Sequence, residues 1–359
     1  MRRSITITII AAALLAASCT RVTIPEGGKI YLSATLHDPQ LAKSPFEGTA
    51  PSPATPLSTI VLASTTRYNY PNTGLDGTND NGDVAVHAPA RFQSSTSQLL
   101  SGALYHPEKK PTVYFTSLHP QAGWDITPTS ATFQFNGSQD VMFAPETTGS
   151  YDSNPMPHLT YHHLLTCLKV KIGAESEDVS VAWGKIRNIT IKSENGITVA
   201  LDKDYTYDGC VSIGSNTTDM PFYRAGSDTG ISEGEGLDIP YPLDKVQYSC
   251  YTICAPVEAA KYDEVEYNLS GNIIRIPEYH ITITSDNRTI TVPVDLRVAN
   301  EDYYEGSTHG KLFTLNLSFL MGSNIAVSAT VSDWETGGTG SGDINEDTPA
   351  PTTLNYSKK

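Results

Sequence analysis

Apolar and polar residues alternate with a period of two along most of the chain, the pattern typical of half-buried β-strands. The clearest example is residues 29–36. One face of this segment carries only apolar side chains, namely Ile30, Leu32, Ala34 and Leu36. Further segments of this kind, separated by turn residues, are 58–64, 111–117, 130–135, 140–144, 158–172, 186–193, 197–201, 247–256, 273–284, 288–298, 311–320 and 325–334. No amphipathic helix of three or more turns is convincing, so the pattern predicts an all-β fold built from β-sandwiches.

The first residues have the composition of an export signal. Arg2 and Arg3 precede a short apolar run at residues 5–17, and small residues lead to Cys19. The run is too short to span a bilayer, which needs about 20 apolar residues. A Cys after small residues is typical of a bacterial lipoprotein signal with lipid on Cys19, although Leu15 lies four rather than three positions before it. The alternative is ordinary signal cleavage beside a chance Cys, and both place the protein outside the cytoplasm.

The predicted strands fall into two groups. A polar stretch at residues 146–157 separates them, and Gly, Ser, acidic residues, Pro and Thr dominate the chain after the last strand. We therefore expect four parts, which are a lipoprotein signal peptide (1–18), an N-terminal β-sandwich domain (19–155), a C-terminal β-sandwich domain (156–335) and a flexible tail (336–359).

Charge and composition narrow the class of partner. The chain has 39 acidic and 24 basic residues and a formal charge of −15 at pH 7. Such a surface repels polyanions, so nucleic acid is not expected as a partner. The 19 Tyr, 27 Gly and 23 Pro, with only 18% charged residues, are typical of an extracellular all-β protein. No later segment has transmembrane length, which leaves a lipid as the expected membrane anchor.

No pattern of metal-binding or catalytic residues is convincing. Cys167, Cys210, Cys250 and Cys254 lack the spacing of a zinc site, and they are either disulfide bridges or buried thiols. His158, His162 and His163 lie too far apart or on opposite faces of a predicted strand to share one metal. The Asp-rich segment 76–83 does not fit an EF-hand and is expected to be a solvated turn. Without a nucleophile motif or a dinucleotide loop, the sequence predicts a protein that is not an enzyme and has no cofactor.

The order of several short motifs resembles the fimbrillin-like (Mfa-like, FimA-like) family. PTVYFTSLHP at residues 111–120 and FNGSQDVMFA at 135–144 are similar to the N-terminal domain of that family. HLTYHHLLTCLKVKI at 158–172 resembles the strand that opens its second domain. NITIK at 188–192 and ATVSDW at 329–334 fit the same layout.

The resemblance implies two tandem transthyretin-like β-sandwich domains in a structural protein of cell-surface fimbriae, exported as a lipoprotein to the outer membrane of Gram-negative anaerobes. Many members lose their first strand to a trypsin-like protease, and a strand from a neighbouring subunit fills the groove. Carried onto this chain, the removable strand is residues 29–36, with Ile30, Leu32, Ala34 and Leu36 leaving an apolar slot. Lys43 and Arg67 are candidate processing sites of equal rank, and no processing is the alternative.

The tail departs from the pattern of a stalk subunit. Its sizeable apolar residues are only Ile344, Leu354 and Tyr356, and Pro349 and Pro351 lack N–H groups. We therefore expect a tip, accessory or anchor subunit that supports adhesion and assembles with other fimbrial subunits. A receptor on a host or bacterial surface is left open as a further partner.

The alternative function is a surface glycan-binding lipoprotein that does not polymerise. The many Tyr residues, with Trp124 and Trp183, would stack on sugars in that case.

Overall fold

The computed structural model describes residues 30–36, 56–72, 85–93, 98–99, 112–150, 156–214, 216–242, 249–258, 266–267, 273–274, 278–296, 306–321 and 325–333. Several expectations lie outside these ranges and stay predictions. They concern the signal peptide with Cys19, the processing site Lys43, the segment 76–83 and the tail 336–359.

The all-β prediction is confirmed, because the described residues form 22 strands and only short helices. The first nine strands are β1 (Tyr31–Leu36), β2 (Leu57–Ser64), β3 (Ala85–Phe92), β4 (Gln98–Leu99), β5 (Val113–His119), β6 (Trp124–Ile126), β7 (Ser130–Gln134), β8 (Met142–Gly149) and β9 (His158–His163). The others are β10 (Thr166–Ala174), β11 (Ile186–Glu194), β12 (Gly196–Ala200), β13 (Val211–Ile213), β14 (Thr217–Pro221), β15 (Tyr223–Arg224), β16 (Cys250–Cys254), β17 (Glu266–Tyr267), β18 (Ile273–Ile274), β19 (Glu278–Ser285), β20 (Thr289–Asp295), β21 (Lys311–Phe319) and β22 (Ile325–Asp333). The helices are α1 (Glu177–Trp183), α2 (Tyr207–Cys210) and a 3-10 turn (Ile231–Glu233). None of these described helices is long and apolar enough to cross a membrane.

Seven strands form the first sheet, in the order β3-β2-β5-β8-β9-β1-β4. The sheet curls, so that its two end strands β3 and β4 approach to within 8 Å between Cα atoms. One face carries an apolar cluster of its own, made by side chains of β1, β2, β3, β5, β8 and β9. We call this the first-sheet cluster. β1 is therefore an internal strand of the sheet and contributes to the centre of its packing.

The remaining strands form three larger sheets and one short pair. Their orders are β15-β16-β10-β21-β22, β14-β11-β19-β20, β13-β12-β7-β6 and β17-β18. A second, larger apolar cluster lies among them and also includes Leu62, Leu118 and Phe143 from the first sheet. The central strands of the first sheet thus have apolar packing on both faces.

The chain crosses from the first sheet to the second at Leu164 and Leu165, both fully buried. Before them β9 pairs with β8 and β1, and after them β10 pairs with β16 and β21. The sequence pattern presents residues 158–172 as a single strand, whereas the structure divides it in two and assigns β9 to the first sheet. The reason is that one strand cannot point two successive leucines into the same core, so the alternation changes phase here. The domain boundary after residue 155 stays a prediction.

Candidate functional site

β1 is held in the first sheet by its apolar face. Ile30, Leu32 and Ala34 are fully buried, and Leu36 is only 6% exposed. All four belong to the first-sheet cluster. Because burying a Leu or Ile side chain contributes about 1.5–3 kcal/mol, β1 fills an apolar slot whose vacancy would expose the middle of that cluster.

The backbone of β1 has one long neighbour and one short one. It pairs in parallel with β9 from Ser33 opposite His158 to Leu36 opposite Tyr161. On its other side the described residues pair with β4 at two positions, Tyr31 opposite Leu99 and Leu32 opposite Gln98. The Ser33 N–H also donates to the Pro157 carbonyl at 3.1 Å. Within the part of the chain that the structure describes, most of the pairing that holds β1 therefore runs along β9.

His158 adds a side-chain clamp on the polar face of β1. Its Nδ1 lies 2.7 Å from Ser33 Oγ and its Nε2 lies 2.8 Å from Thr35 Oγ1. A neutral imidazole has one N–H and one acceptor nitrogen, so each hydroxyl has a complementary ring nitrogen. Burial against the neighbouring strand lowers the pKa of His158 below its ordinary value of 6.5.

We expect His158→Ala to loosen β1 by up to about 1 kcal/mol, because two partly exposed hydrogen bonds are lost. Amide hydrogen exchange of residues 30–36 at pH 7.5 should become up to about fivefold faster. The lowered pKa means that the folded state prefers the neutral ring, so its stabilising effect is present above pH 6.5 and is lost as the pH falls below it. The difference between variant and wild type should therefore shrink at pH 5.5.

His280→Ala is the matched control for this change. His280 is an exposed histidine on β19, where its Nε2 lies 3.5 Å from Glu278 Oε1. Equal acceleration of β1 exchange in both variants would contradict the clamp.

Arg67, the other candidate processing site, lies in a network of charged and phenolic groups after β2. Its Nε donates to Glu146 Oε1 at 2.8 Å and its Nη2 to Asp204 Oδ1 at 3.1 Å. The guanidinium lies 4.2 Å from the ring centroid of Tyr68, whose hydroxyl also donates to Asp204. Tyr70 donates to Glu146 Oε2 at 2.6 Å, so these side chains form one connected cluster, the Arg67 cluster.

Cleavage after Arg67 would separate β2 from the rest of the chain. β2 pairs with β3 from Leu57 to Ser64 and with β5 from Ile60 to Ser64. A cut there removes a strand paired on both sides in addition to β1. Processing at this arginine therefore damages the sheet far more than processing between β1 and β2.

The cysteines of the described structure are buried thiols, which decides between the two sequence-based alternatives. They are Cys167, Cys210, Cys250 and Cys254. Burial raises the pKa of Cys254 to about 12, so this thiol stays protonated and unreactive at neutral pH.

The remaining sequence candidates have structural roles. Trp183 is 1% exposed and packs edge-on against Phe319, so it offers no surface for a sugar. Trp124 is half-buried, and its Nε1 donates to the Pro120 carbonyl at 2.9 Å. His163 is buried beside Asp140. Within the described ranges, no group of three or more His, Cys, Asp or Glu is arranged to hold a metal ion.

Sequence reasoning missed the part that His158 plays. It treated this residue as a polar strand residue in preference to a metal ligand. It did not find the partners of His158, because the parallel register between β1 and β9 joins segments more than 120 residues apart. The polar positions Ser33 and Thr35 indicated that the outer face of β1 needs a hydrogen-bonding partner. The alternation could not tell which residue supplies it.

Comparison with known proteins gives a consistent result. No curated protein matches the sequence. A crystal structure of a candidate cell adhesion protein from Bacteroides uniformis has a TM-score of 0.50 at 13% identity, with 86% of this chain and 98% of that chain covered. A fimbrial protein from Bacteroides vulgatus is also similar, with a TM-score of 0.34 at 14% identity over 85% of this chain and 99% of that one. The family profile described as fimbrillin-like matches residues 68–334, more than half of the chain. This protein therefore belongs to the fimbrillin-like family.

Proposed function

We propose that this protein is a subunit of cell-surface fimbriae that accepts a strand from a neighbouring subunit in the place of β1. The observation that carries the proposal is the position of β1, an internal strand whose apolar face is completely buried. Membership of the fimbrillin-like family supports a structural and adhesive role at the cell surface. It also supports assembly with other fimbrial subunits.

Removal of β1 would leave two things that a new strand can supply. One is the backbone edge of β9, whose N–H and C=O groups would lose their partners. The other is the apolar slot now filled by Ile30, Leu32, Ala34 and Leu36. An extended segment with alternating apolar residues satisfies both at once, which is the physical basis of β-augmentation.

We propose Lys43 rather than Arg67 as the processing site. Lys43 lies between β1 and β2 in the sequence, so a cut there separates β1 and leaves β2 in the chain. The ion pairs of Arg67 with Glu146 and Asp204 also occupy the guanidinium group that a trypsin-like protease has to bind. In this scheme the lipid on Cys19 holds the precursor at the outer membrane and leaves with β1.

Sequencing the N-terminus of protein released from the cell surface tests the processing site. We expect the released form to begin at Ser44, and we expect Lys43→Gln to reduce its yield at least tenfold. Arg67→Gln is the matched control and should leave processing unchanged. A released protein that begins at Cys19 or at Tyr68 would contradict the proposal.

We further propose a tip, accessory or anchor position within the fimbria. A donor strand needs several alternating apolar residues and free N–H groups, whereas the tail after residue 335 has few sizeable apolar residues and two prolines without N–H groups. A subunit that accepts a strand but has no suitable strand to donate cannot extend the fibre in both directions. It therefore lies at an end of the fibre.

A further inference from the structure

A cavity of about 320 Å³ lies between the first sheet and the segment that follows β12. This volume is at the lower end of the range of small-molecule sites, which is about 300–1,000 Å³. The first sheet contributes β5 and β8 and the segment after β2, while the other wall comes from residues 201–205. The lining includes the charged residues Arg67, Glu146 and Asp204 and the aromatic residues Phe143 and Tyr205.

Part of the wall is aromatic. The rings of Phe143 and Tyr205 contact each other, with centroids 5.4 Å apart. His162 packs on Tyr205 as well, with centroids 5.1 Å apart. The partly exposed Pro145 extends this apolar surface, and the buried Leu201 supports it from the core. Because its neighbours pack on it, Tyr205 is held in place and offers a rigid wall to a ligand.

The rest of the lining is polar and already oriented. Arg67 bridges Glu146 and Asp204, and Tyr70 binds the other oxygen of Glu146. The side chain of Asp204 is 88% exposed and that of Arg67 is 51% exposed, so these groups reach solvent. Each carboxylate oxygen can accept more than one hydrogen bond, so these groups can bind a ligand without breaking their own network.

The charges of the lining restrict the ligand. Two cationic side chains, Arg67 and Lys203, face two anionic ones, Glu146 and Asp204. The four charges of the lining sum to zero and the whole chain has a charge of −15, so the electrostatic potential of the site does not favour binding of an anion. An apolar ligand would strip water from four charged groups without replacing its hydrogen bonds, which is costly.

We propose that this cavity is a binding site for a neutral saccharide. A sugar ring combines a face of C–H groups with a rim of hydroxyls that both donate and accept. The half-buried ring of Tyr205, supported from behind by the buried Phe143, suits the C–H face, and the charged side chains suit the hydroxyls. The site does not depend on β1, so it would serve adhesion whether or not the subunit is processed.

A multivalent glycan array probed with the full chain tests the proposal, because multivalent display compensates for weak single-site affinity. The array should carry neutral and acidic oligosaccharides, with peptides as comparison ligands. We expect selective binding of neutral oligosaccharides. In titrations with the best of them, Asp204→Asn and Tyr205→Ala should each raise the Kd at least tenfold.

Asp219→Asn is the matched control for the aspartate change. Asp219 is an exposed aspartate that pairs with Lys192 at 2.7 Å and does not line the cavity. Its variant should bind like the wild type, and thermal melting should show that all three variants are folded. Binding of acidic glycans or peptides only, no binding, or equal binding by Asp204→Asn and Asp219→Asn would overturn the saccharide site. Fimbrial assembly by the same variants should be unchanged, which separates a failure here from a failure of the proposed strand exchange.

Discussion

Leu32→Asp is expected to release β1 from the first sheet. Leu32 is fully buried in the first-sheet cluster, so the change forfeits about 1.5–3 kcal/mol of burial. It also places a carboxylate in an apolar site, which costs several kcal/mol more unless the strand leaves. Together these losses approach the stability of a whole domain, about 5–15 kcal/mol. Amide exchange of residues 30–36 and of the facing residues in β9 should rise by at least a hundredfold.

Thr35→Asp is the matched control on the same strand. Thr35 is half-buried on the opposite face of β1, where its hydroxyl contacts His158. A carboxylate at this position stays near solvent and next to a histidine, so we expect little change in exchange. Comparing Leu32→Asp with Thr35→Asp separates the effect of a charge on the buried face of β1 from the effect of a charge anywhere in the strand.

A peptide supplied in trans makes the test specific for strand exchange. We expect the Leu32→Asp variant to bind a synthetic peptide of residues 29–37 and to recover its thermal stability. The same peptide carrying Leu32→Asp should bind at least a hundredfold more weakly. Two results would refute the idea that β1 can be replaced by another strand. One is slow amide exchange of β1 in the Leu32→Asp variant, and the other is an unfolded variant whose stability the peptide does not restore.

The sequence was most informative where alternation reports burial directly. It identified β1 and the four side chains that it buries, because a strand with one buried face has a strict period of two. It missed β3, whose Pro89 and scattered alanines obscure the pattern. Among the described strands β3 is an end strand with β2 as its paired neighbour, and Pro is tolerated at such an edge because no second described strand needs its N–H.

Contacts between residues far apart in the sequence could not be predicted from the sequence alone. The Arg67 cluster joins residues from β8 and from the turns after β2 and β12, and no local pattern links them. Arg67 therefore looked like an exposed protease site, and the cavity beside it was not anticipated. The sequence pattern also presents residues 158–172 as a single strand. The division into β9 and β10 depends on their partners β1 and β21, which lie far away in the sequence.

Asp140→Ala is expected to be the most damaging change at the passage between the sheets. Asp140 and His163 are each 2% exposed, and His163 Nδ1 donates to Asp140 Oδ1 at 3.1 Å. His163 is the last residue of β9, directly before the buried leucines that lead into β10. Removing Asp140 leaves the buried N–H of His163 without its hydrogen-bond acceptor, and a buried polar group left unsatisfied costs about 1–3 kcal/mol. This corresponds to a fall in Tm of about 2–4 °C for a protein of this size.

Two comparisons isolate the buried pair. Asp219→Asn breaks the exposed pair with Lys192 and should change stability by less than about 1 kcal/mol, because solvent screens such pairs. The double variant Asp140→Ala/His163→Leu removes both polar groups, so it should recover at least half of the lost stability. Thermal melting at pH 7.5 measures all of these variants. If the double variant is no more stable than Asp140→Ala, then the contribution of Asp140 comes from packing or from another partner such as His119, whose pKa it helps to keep from falling further.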